Sequence, residues 1–299
     1  MGRFFGAGGG ARTKVIWGAL SPVFALVLCW DVLRGKSRSF GADAAKLLHL
    51  LRPQPEVEHA DLIPSENPFV VVTNHYCRQG LGVWWSVLLI GQAVARRRLV
   101  LSVGEGLGEV RWVMTNQWTY QDPIRSRLVT PLTRWLFHRI ARSYGFVPMP
   151  PMPPNPSQVE ERAQAVRSAL SLAHSGAVIG LAPEGRESGD GSLLDPPVGA
   201  GRFLLLLARA GLPILPVGVA EKNGTLTAFF GEAFALEAQP GLEKRQQDQR
   251  ACETVMVAIG KLLPPDLWGV YREQINTFLF LDKAKALLYD FVSANSQQR

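Results

Sequence analysis

The stretch FVVVTNH, at residues 69–75, decides the fold of this chain. A continuous apolar run that ends in the polar pair Asn74 and His75 is typical of a buried strand followed by a loop. The stretch AVIGLAPEGR, at residues 177–186, repeats this arrangement. Two such stretches favour an α/β fold with a largely buried sheet.

Outward from these stretches, short apolar runs alternate with segments of helical spacing. The predicted further strands cover residues 99–103, 110–114, 146–149, 214–219 and 226–230. The predicted helices cover residues 43–51, 84–95, 127–144, 158–175, 201–210 and 243–263, with an amphipathic segment at 275–292. This alternation predicts one mixed, largely buried sheet flanked by helices.

The N-terminal part of the chain has a different character. Residues 15–30 read VIWGALSPVFALVLCW, with basic residues on both sides. A helix needs about 20 apolar residues to span a bilayer, and this run is shorter and contains Pro22. We therefore expect a helix that lies in the membrane interface, with a true span, a buried helix or a signal peptide as alternatives. The predicted division is a membrane-associated segment at residues 1–52 and an α/β domain at 53–299.

Composition narrows the range of partners. The chain has 32 Lys and Arg residues against 25 Asp and Glu residues, which gives a net charge of +7. A basic surface attracts anionic lipid, phosphorylated small molecules or nucleic acid. Nucleic acid is the least favoured, because no basic cluster is interleaved with aromatic residues. The three separated cysteines and the lack of an HExxH pattern indicate a reducing compartment and no metal site, so we expect a membrane-associated protein on the cytoplasmic face.

Polar residues follow both deciding strands directly. Asn74 and His75 come after the first strand, and Glu184, Gly185 and Arg186 come after the second. Ligands of open α/β sheets bind at the carboxyl ends of the strands. A histidine, a glutamate and an arginine brought together there have the chemistry of a base, an orienting group and an anion clamp.

Four blocks in this order resemble the glycerolipid acyltransferases typified by 1-acylglycerol-3-phosphate acyltransferase. They are VVVTNHYCRQG (residues 70–80), YGFVPMP (144–150), LAPEGRESGDG (181–191) and GLPILPVGV (211–219). The resemblance implies transfer of a fatty acyl group from a thioester, on coenzyme A or acyl carrier protein, to the hydroxyl of a glycerolipid-like acceptor at a membrane surface. It places the chain in phospholipid biosynthesis, with the thioester as co-substrate and without a further cofactor.

The same resemblance implies roles for particular residues. His75 is expected to act as the general base, which typically contributes about 10²- to 10⁴-fold in rate. In the family, the glutamate and the arginine of the third block help to bind the acceptor, and they correspond to Glu184 and Arg186. Glu184 is also the second expected catalytic residue, as a partner of His75. Four more residues are expected to bind substrate: Asn74, Arg78, Gly185 and Arg186.

The chain departs from the family pattern at three places. The family aspartate five residues after the histidine is Gly80, the arginine of the second block is missing, and Arg186 follows Glu184 by two residues instead of three. Loss of the carboxylate that orients the base costs about 10⁴ in rate in a serine protease. The alternative function is therefore a non-catalytic lipid- or acyl-thioester-binding protein. An active enzyme needs another carboxylate beside His75, and Glu184 is the first choice, before Glu187 and Asp190.

Two other features suggest different chemistry. Cys77, two residues after His75, is a candidate nucleophile, although no third group supports it. The glycine-rich GEGLG at residues 104–108 suggests a nucleotide-binding loop, but it lacks the full fingerprint, and a flexible loop is favoured.

Overall fold

The computed structural model describes residues 12–65, 68–100, 108–115, 123–150, 156–282 and 284. The main helices are α1 (Pro22–Arg34), α2 (Phe40–Leu48), α3 (Trp84–Val100), α4 (Pro123–Tyr144), α5 (Val159–His174), α6 (Ala200–Arg209) and α7 (Lys244–Gly260). The strands are β1 (Lys14–Val15), β2 (Leu51–Arg52), β3 (Glu56–Glu58), β4 (Val70–Thr73), β5 (Val110–Thr115), β6 (Val147–Met149), β7 (Val178–Leu181), β8 (Ile214–Lys222) and β9 (Thr225–Phe230). Residues 272–282 are also helical.

Seven strands form the central sheet of the described chain, in the order β3-β9-β8-β4-β7-β5-β6. The five strands from β8 to β6 run parallel, whereas β9 runs antiparallel to β8 and parallel to β3. The predicted α/β class and the mixed sheet are confirmed. Because β4 lies between β7 and β8, the loops after β4 and β7 leave the same edge of the sheet side by side.

The run FVVVT is buried on both faces because helices cover both sides of the sheet. Val71 packs in one core with Phe40 of α2 and Ile90 of α3. Val70 and Val72 point the other way, into a second core built from side chains of α6 and α7. Successive side chains of a strand alternate between faces, so a strand between two helical layers is apolar at every position.

The predicted helix at residues 43–51 is shifted. α2 begins after Ser39, whose hydroxyl oxygen accepts the backbone N–H of Ala42 at 3.2 Å. Asp43, where the predicted helix starts, lies inside α2 and accepts hydrogen bonds from Arg38 at 2.6 Å and from Tyr144 at 2.8 Å. Ser39 takes the capping role because it directly precedes the first helical residue, Phe40, whereas Asp43 lies three residues farther along. The helix ends earlier than predicted, since Leu51 pairs with Val15 in a two-stranded sheet.

The predicted strand at residues 99–103 is wrong where it can be checked. Residues 99 and 100 belong to the last turn of α3, and 101–103 lie outside the described residues, as does most of the GEGLG segment. A short apolar run fits a strand or a buried helix equally well by periodicity alone. Sequence reasoning also missed β1, β2 and β3, which are two or three residues long and carry charged side chains.

The N-terminal apolar run forms a shorter helix than expected. Residues 14 and 15 belong to β1, and α1 begins only at Pro22, so it has 13 residues. None of the described helices combines the length and the apolar character needed to cross a bilayer. The interfacial association and the division at residue 52 stay predictions, and so does the amphipathic segment beyond residue 284, which lies outside the described residues.

Candidate active site

Two loops at the carboxyl edge of the sheet meet around His75. β4 and β7 pair with Val70 opposite Ile179 and Val72 opposite Leu181. His75 lies two residues after β4, and Glu184 lies three residues after β7. The pairing of two fully buried strands therefore fixes both residues beside each other, as the sequence predicted.

A buried carboxylate holds His75 from two directions. The Glu184 Oε2 atom accepts the backbone N–H of His75 at 2.7 Å and lies 3.3 Å from its Nδ1 atom. The other oxygen, Oε1, accepts the backbone N–H of Leu194 at 2.7 Å. Glu184 is only 2% exposed. Two backbone donors fix this carboxylate, and a fixed carboxylate on Nδ1 leaves Nε2 of the ring to receive a substrate proton.

Gly80 has a conformation that suits glycine. Its φ is +82°, in the left-handed region where a side chain is strained. It lies in a tight turn closed by two backbone hydrogen bonds between Arg78 and Leu81, at 3.0 and 2.9 Å. The turn explains why a glycine occupies this place. The carboxylate of Glu184, from the neighbouring loop, lies beside the His75 ring.

Two of the predicted substrate-binding residues bind other parts of the protein. Asn74 is 1% exposed, and its amide donates to the carbonyl of Val219 at 3.0 Å and accepts the N–H of Val219 at 2.8 Å. It ties the end of β4 to β8. Arg78 donates to both carboxylate oxygens of Glu221, at 2.7 and 2.6 Å, and to the carbonyl of Thr13 at 2.7 Å. It links the His75 loop to the N-terminal segment.

The Arg78 contact also fixes the charge of Glu221. Burial alone pushes the pKa of Glu221 upward, but hydrogen bonds from Arg78 and Thr13 outweigh burial and hold the pKa below its usual value. The Glu221 carboxylate also accepts a hydrogen bond from the Tyr76 hydroxyl at 3.2 Å. Burial and the nearby Glu221 charge raise the pKa of Tyr76 to about 12.

The other two predicted substrate-binding residues, Gly185 and Arg186, line a cavity of about 520 Å³ together with His75 and Asn74. Gly185 has a φ of +63° in the turn that follows β7. The remaining walls come from β5, from the start of α3, and from Thr73, Ala182 and Glu187. A cavity of this size, in which polar and charged side chains converge beside apolar ones, is suited to a small molecule.

Sequence reasoning missed the two tryptophans of this cavity. Trp84 begins α3, and Trp112 lies on β5 and is 2% exposed. Trp112 packs across Gly180 of β7, where a Cβ atom would lie 2.7 Å from the indole ring. The glycine inside AVIGL was the available signal, because a glycine in a buried strand often marks a close approach.

Trp84 also borders a second groove of about 780 Å³, on the side of the N-terminal segment. Apolar side chains dominate its walls, including Trp17, Trp85 and Leu88. The groove is open beside Gly82, where an added Cβ atom would meet no other atom within 4 Å. The groove and the His75 cavity thus share one tryptophan as a wall.

Cys77 does not have the features of a nucleophile. Its side chain is buried, and burial raises the pKa of its thiol above the ordinary value. A neutral, buried thiol is a poor nucleophile, since the thiolate is the reactive form. Among the described residues, no group of three His, Cys, Asp or Glu side chains is placed to hold a metal ion.

Two comparisons with known proteins found a match, one to a protein family and one to a solved structure. The family model described as Acyltransferase matches residues 54–220. The crystal structure of the 1-acyl-sn-glycerophosphate (LPA) acyltransferase PlsC from Thermotoga maritima matches 72% of this chain and 75% of its own, with 18% identity and a TM-score of 0.43. No curated protein matches the chain. The family model covers both strand-end loops that form the site.

Proposed function

Because this chain belongs to the Acyltransferase family, we propose that it transfers a fatty acyl group from an acyl thioester to the hydroxyl of a glycerolipid-like acceptor. The observation that carries this proposal is the pair formed by His75 and Glu184, 3.3 Å apart beside a cavity of about 520 Å³. The thioester comes from coenzyme A or acyl carrier protein, and the product belongs to phospholipid biosynthesis.

The proposed reaction begins when Nε2 of His75 takes the proton of the acceptor hydroxyl. The hydroxyl oxygen attacks the thioester carbonyl carbon, and the carbonyl oxygen becomes an oxyanion. When the tetrahedral intermediate collapses, the C–S bond breaks and the leaving thiolate takes the proton from the imidazolium. The products are an ester and a free thiol. Glu184 keeps the ring in the productive tautomer and stabilises its charged form.

The four predicted substrate-binding residues fall into two groups in this proposal: two contact the acceptor, and two position the His75 loop. Arg186 and Gly185 line the cavity and contact the acceptor. Asn74 positions His75 through its paired hydrogen bonds to Val219. Arg78 positions the same loop through Glu221. The apolar groove beside Trp84 receives the fatty chain, because burial of each methylene contributes about 0.8 kcal/mol.

The membrane association is also a proposal, and α1 supports it. Val23, Leu26 and Trp30 are 70%, 71% and 60% exposed and recur at helical spacing on one face of the helix. Basic side chains follow, with Arg34 at the end of α1 and Lys36 just beyond it. An exposed apolar stripe with basic neighbours is typical of a helix that lies on an anionic membrane surface. We propose that α1 holds the protein on the cytoplasmic face of the membrane.

The non-catalytic alternative predicts a histidine without an orienting partner. The buried Glu184 carboxylate, which two backbone donors hold against His75, speaks against it. A carboxylate without a functional role is costly to bury, because its desolvation must be offset by hydrogen bonds.

The test is an acyl-transfer assay with the purified full chain. Radiolabelled acyl-coenzyme A and the radiolabelled acyl thioester of acyl carrier protein are each incubated with lipid acceptors in mixed micelles. The radioactivity in new esters is then measured. We expect ester formation that His75→Ala lowers by at least about 10²-fold. His174→Ala, at an exposed position on α5, is the matched control. Binding of thioester or lipid without any ester product, across the whole panel, would establish the non-catalytic alternative.

A further inference from the structure

The charged groups around His75 indicate which head-group charge the cavity can bind. Arg186 and Glu187 both line the cavity, and Glu184 lies directly behind the imidazole ring. Among the described residues of this site, two carboxylates thus stand against one guanidinium, which leaves one negative charge in excess when His75 is neutral. The local charge is therefore suited to a ligand with a cationic group.

A phosphate monoester does not complement this arrangement. It carries a charge of about −1.5 to −2 near neutral pH, and a single guanidinium cannot balance that charge beside two carboxylates. A phosphodiester carries one negative charge and matches one arginine through paired hydrogen bonds. An ammonium group in the same molecule would then meet Glu187.

The aromatic wall favours the same kind of ligand. Trp84 is 38% exposed, so part of its ring is open to a ligand. A cation placed over a tryptophan ring is attracted by the negative face of the π system. A carboxylate and an exposed tryptophan in one cavity form a combination that recognises alkylammonium groups.

We propose, on the premise of the acyl transfer described above, that the acceptor is a lysophospholipid with a zwitterionic head group. Its phosphodiester binds Arg186, and its ammonium group binds Glu187 and Trp84. The free hydroxyl of the glycerol unit then lies next to His75.

The test compares three acceptors that share one acyl chain, in mixed micelles of uncharged detergent. They are a lysophospholipid with a phosphocholine head, 1-acylglycerol 3-phosphate and monoacylglycerol. We expect the choline lipid to have the highest kcat/KM. Dominant transfer to the phosphate monoester or to monoacylglycerol would overturn the inference and leave the proposed acyltransferase intact. The absence of transfer to any acceptor would overturn both.

Variants test the groups that carry the inference. Glu187→Gln and Trp84→Leu should each lower the preference for the choline lipid over the phosphate monoester by about three- to tenfold. Glu187→Lys should reverse the local charge and raise relative use of the monoester. Glu237→Gln, the same change at an exposed carboxylate outside the cavity, should leave the ratio unchanged. An unchanged ratio in folded Glu187→Lys would refute the assigned contact.

Discussion

The pair of His75 and Glu184 makes a prediction that a double-mutant cycle can test. Glu184→Gln keeps the shape of the side chain but removes its charge. The amide nitrogen of glutamine must then face the N–H of His75 or that of Leu194, both of which now donate to the carboxylate at 2.7 Å. A buried donor that faces another donor costs about 1–3 kcal/mol of stability.

The loss of turnover follows from the same geometry. Removal of the partner carboxylate costs about 10⁴ in the serine protease triad. The distance from Glu184 to the ring is 3.3 Å, longer than the roughly 2.7–2.9 Å of a strong charge-assisted hydrogen bond. We therefore expect Glu184→Gln to lower kcat by about 10²- to 10³-fold, somewhat less than the full effect in the protease.

The cycle consists of His75→Ala, Glu184→Gln and the double variant, with initial rates of ester formation and thermal melting of each protein. Residues that act as one unit are strongly non-additive. The double variant should be within about threefold of the slower single variant, and Glu184→Asp should recover part of the rate because it restores the charge. Losses that multiply, or a folded Glu184→Gln protein with normal turnover, would refute the coupling.

Three further predictions address other parts of the molecule. Replacement of Leu26 and Trp30 by Glu should weaken binding to anionic vesicles by about tenfold or more in co-sedimentation, because each side chain loses its apolar burial; Val198→Glu, at another exposed apolar position, is the control. Gly80→Asp should lower the free energy of unfolding by about 1 kcal/mol, since φ is +82°, and should not raise turnover in the ester assay. The depressed pKa of Glu221 means that its carboxylate stabilises the fold above the ordinary value of 4.5, and that this contribution disappears as the pH falls below that value. Denaturant unfolding from pH 7 to pH 4 should therefore show a steeper loss of stability in the native chain than in Glu221→Gln.

The parts of the fold that were predictable from sequence are those with a strong periodic signal. FVVVT and AVIGL are continuous apolar runs because helices cover both faces of the sheet, so their burial follows from their composition. The short strand EVE at Glu56–Glu58 lies at the edge of the sheet and has no such signature. Its pairing with β9 depends on contacts far apart in the sequence, which periodicity does not report.

The site was predictable to the same extent. Glu184 was the first choice as the partner of His75 because it follows a predicted strand and the Pro183 turn, and the structure places that strand beside the one that precedes His75. The contacts of Asn74 and Arg78 were not predictable, because their partners, Val219 and Glu221, lie more than 140 residues away. A motif indicates which residues occur near a site. The direction in which each side chain points also depends on contacts with residues that are far away in the sequence.

In the proposed mechanism, the position of Glu184 makes an aspartate at residue 80 unnecessary. A carboxylate that orients the His75 ring must be held in a fixed position. A carboxylate within the His75 loop would be fixed only if that loop were rigid. The Glu184 carboxylate is held in position by the backbone N–H groups of His75 and Leu194, which belong to two different segments. Because β7 adjoins β4, this arrangement depends on the pairing of the sheet and not on the turn at Gly80. The turn is then free to serve another purpose, and here it presents Arg78 to Glu221 and closes one wall of the apolar groove. Changes in that turn should therefore affect binding of the fatty chain more than the proton transfer at His75.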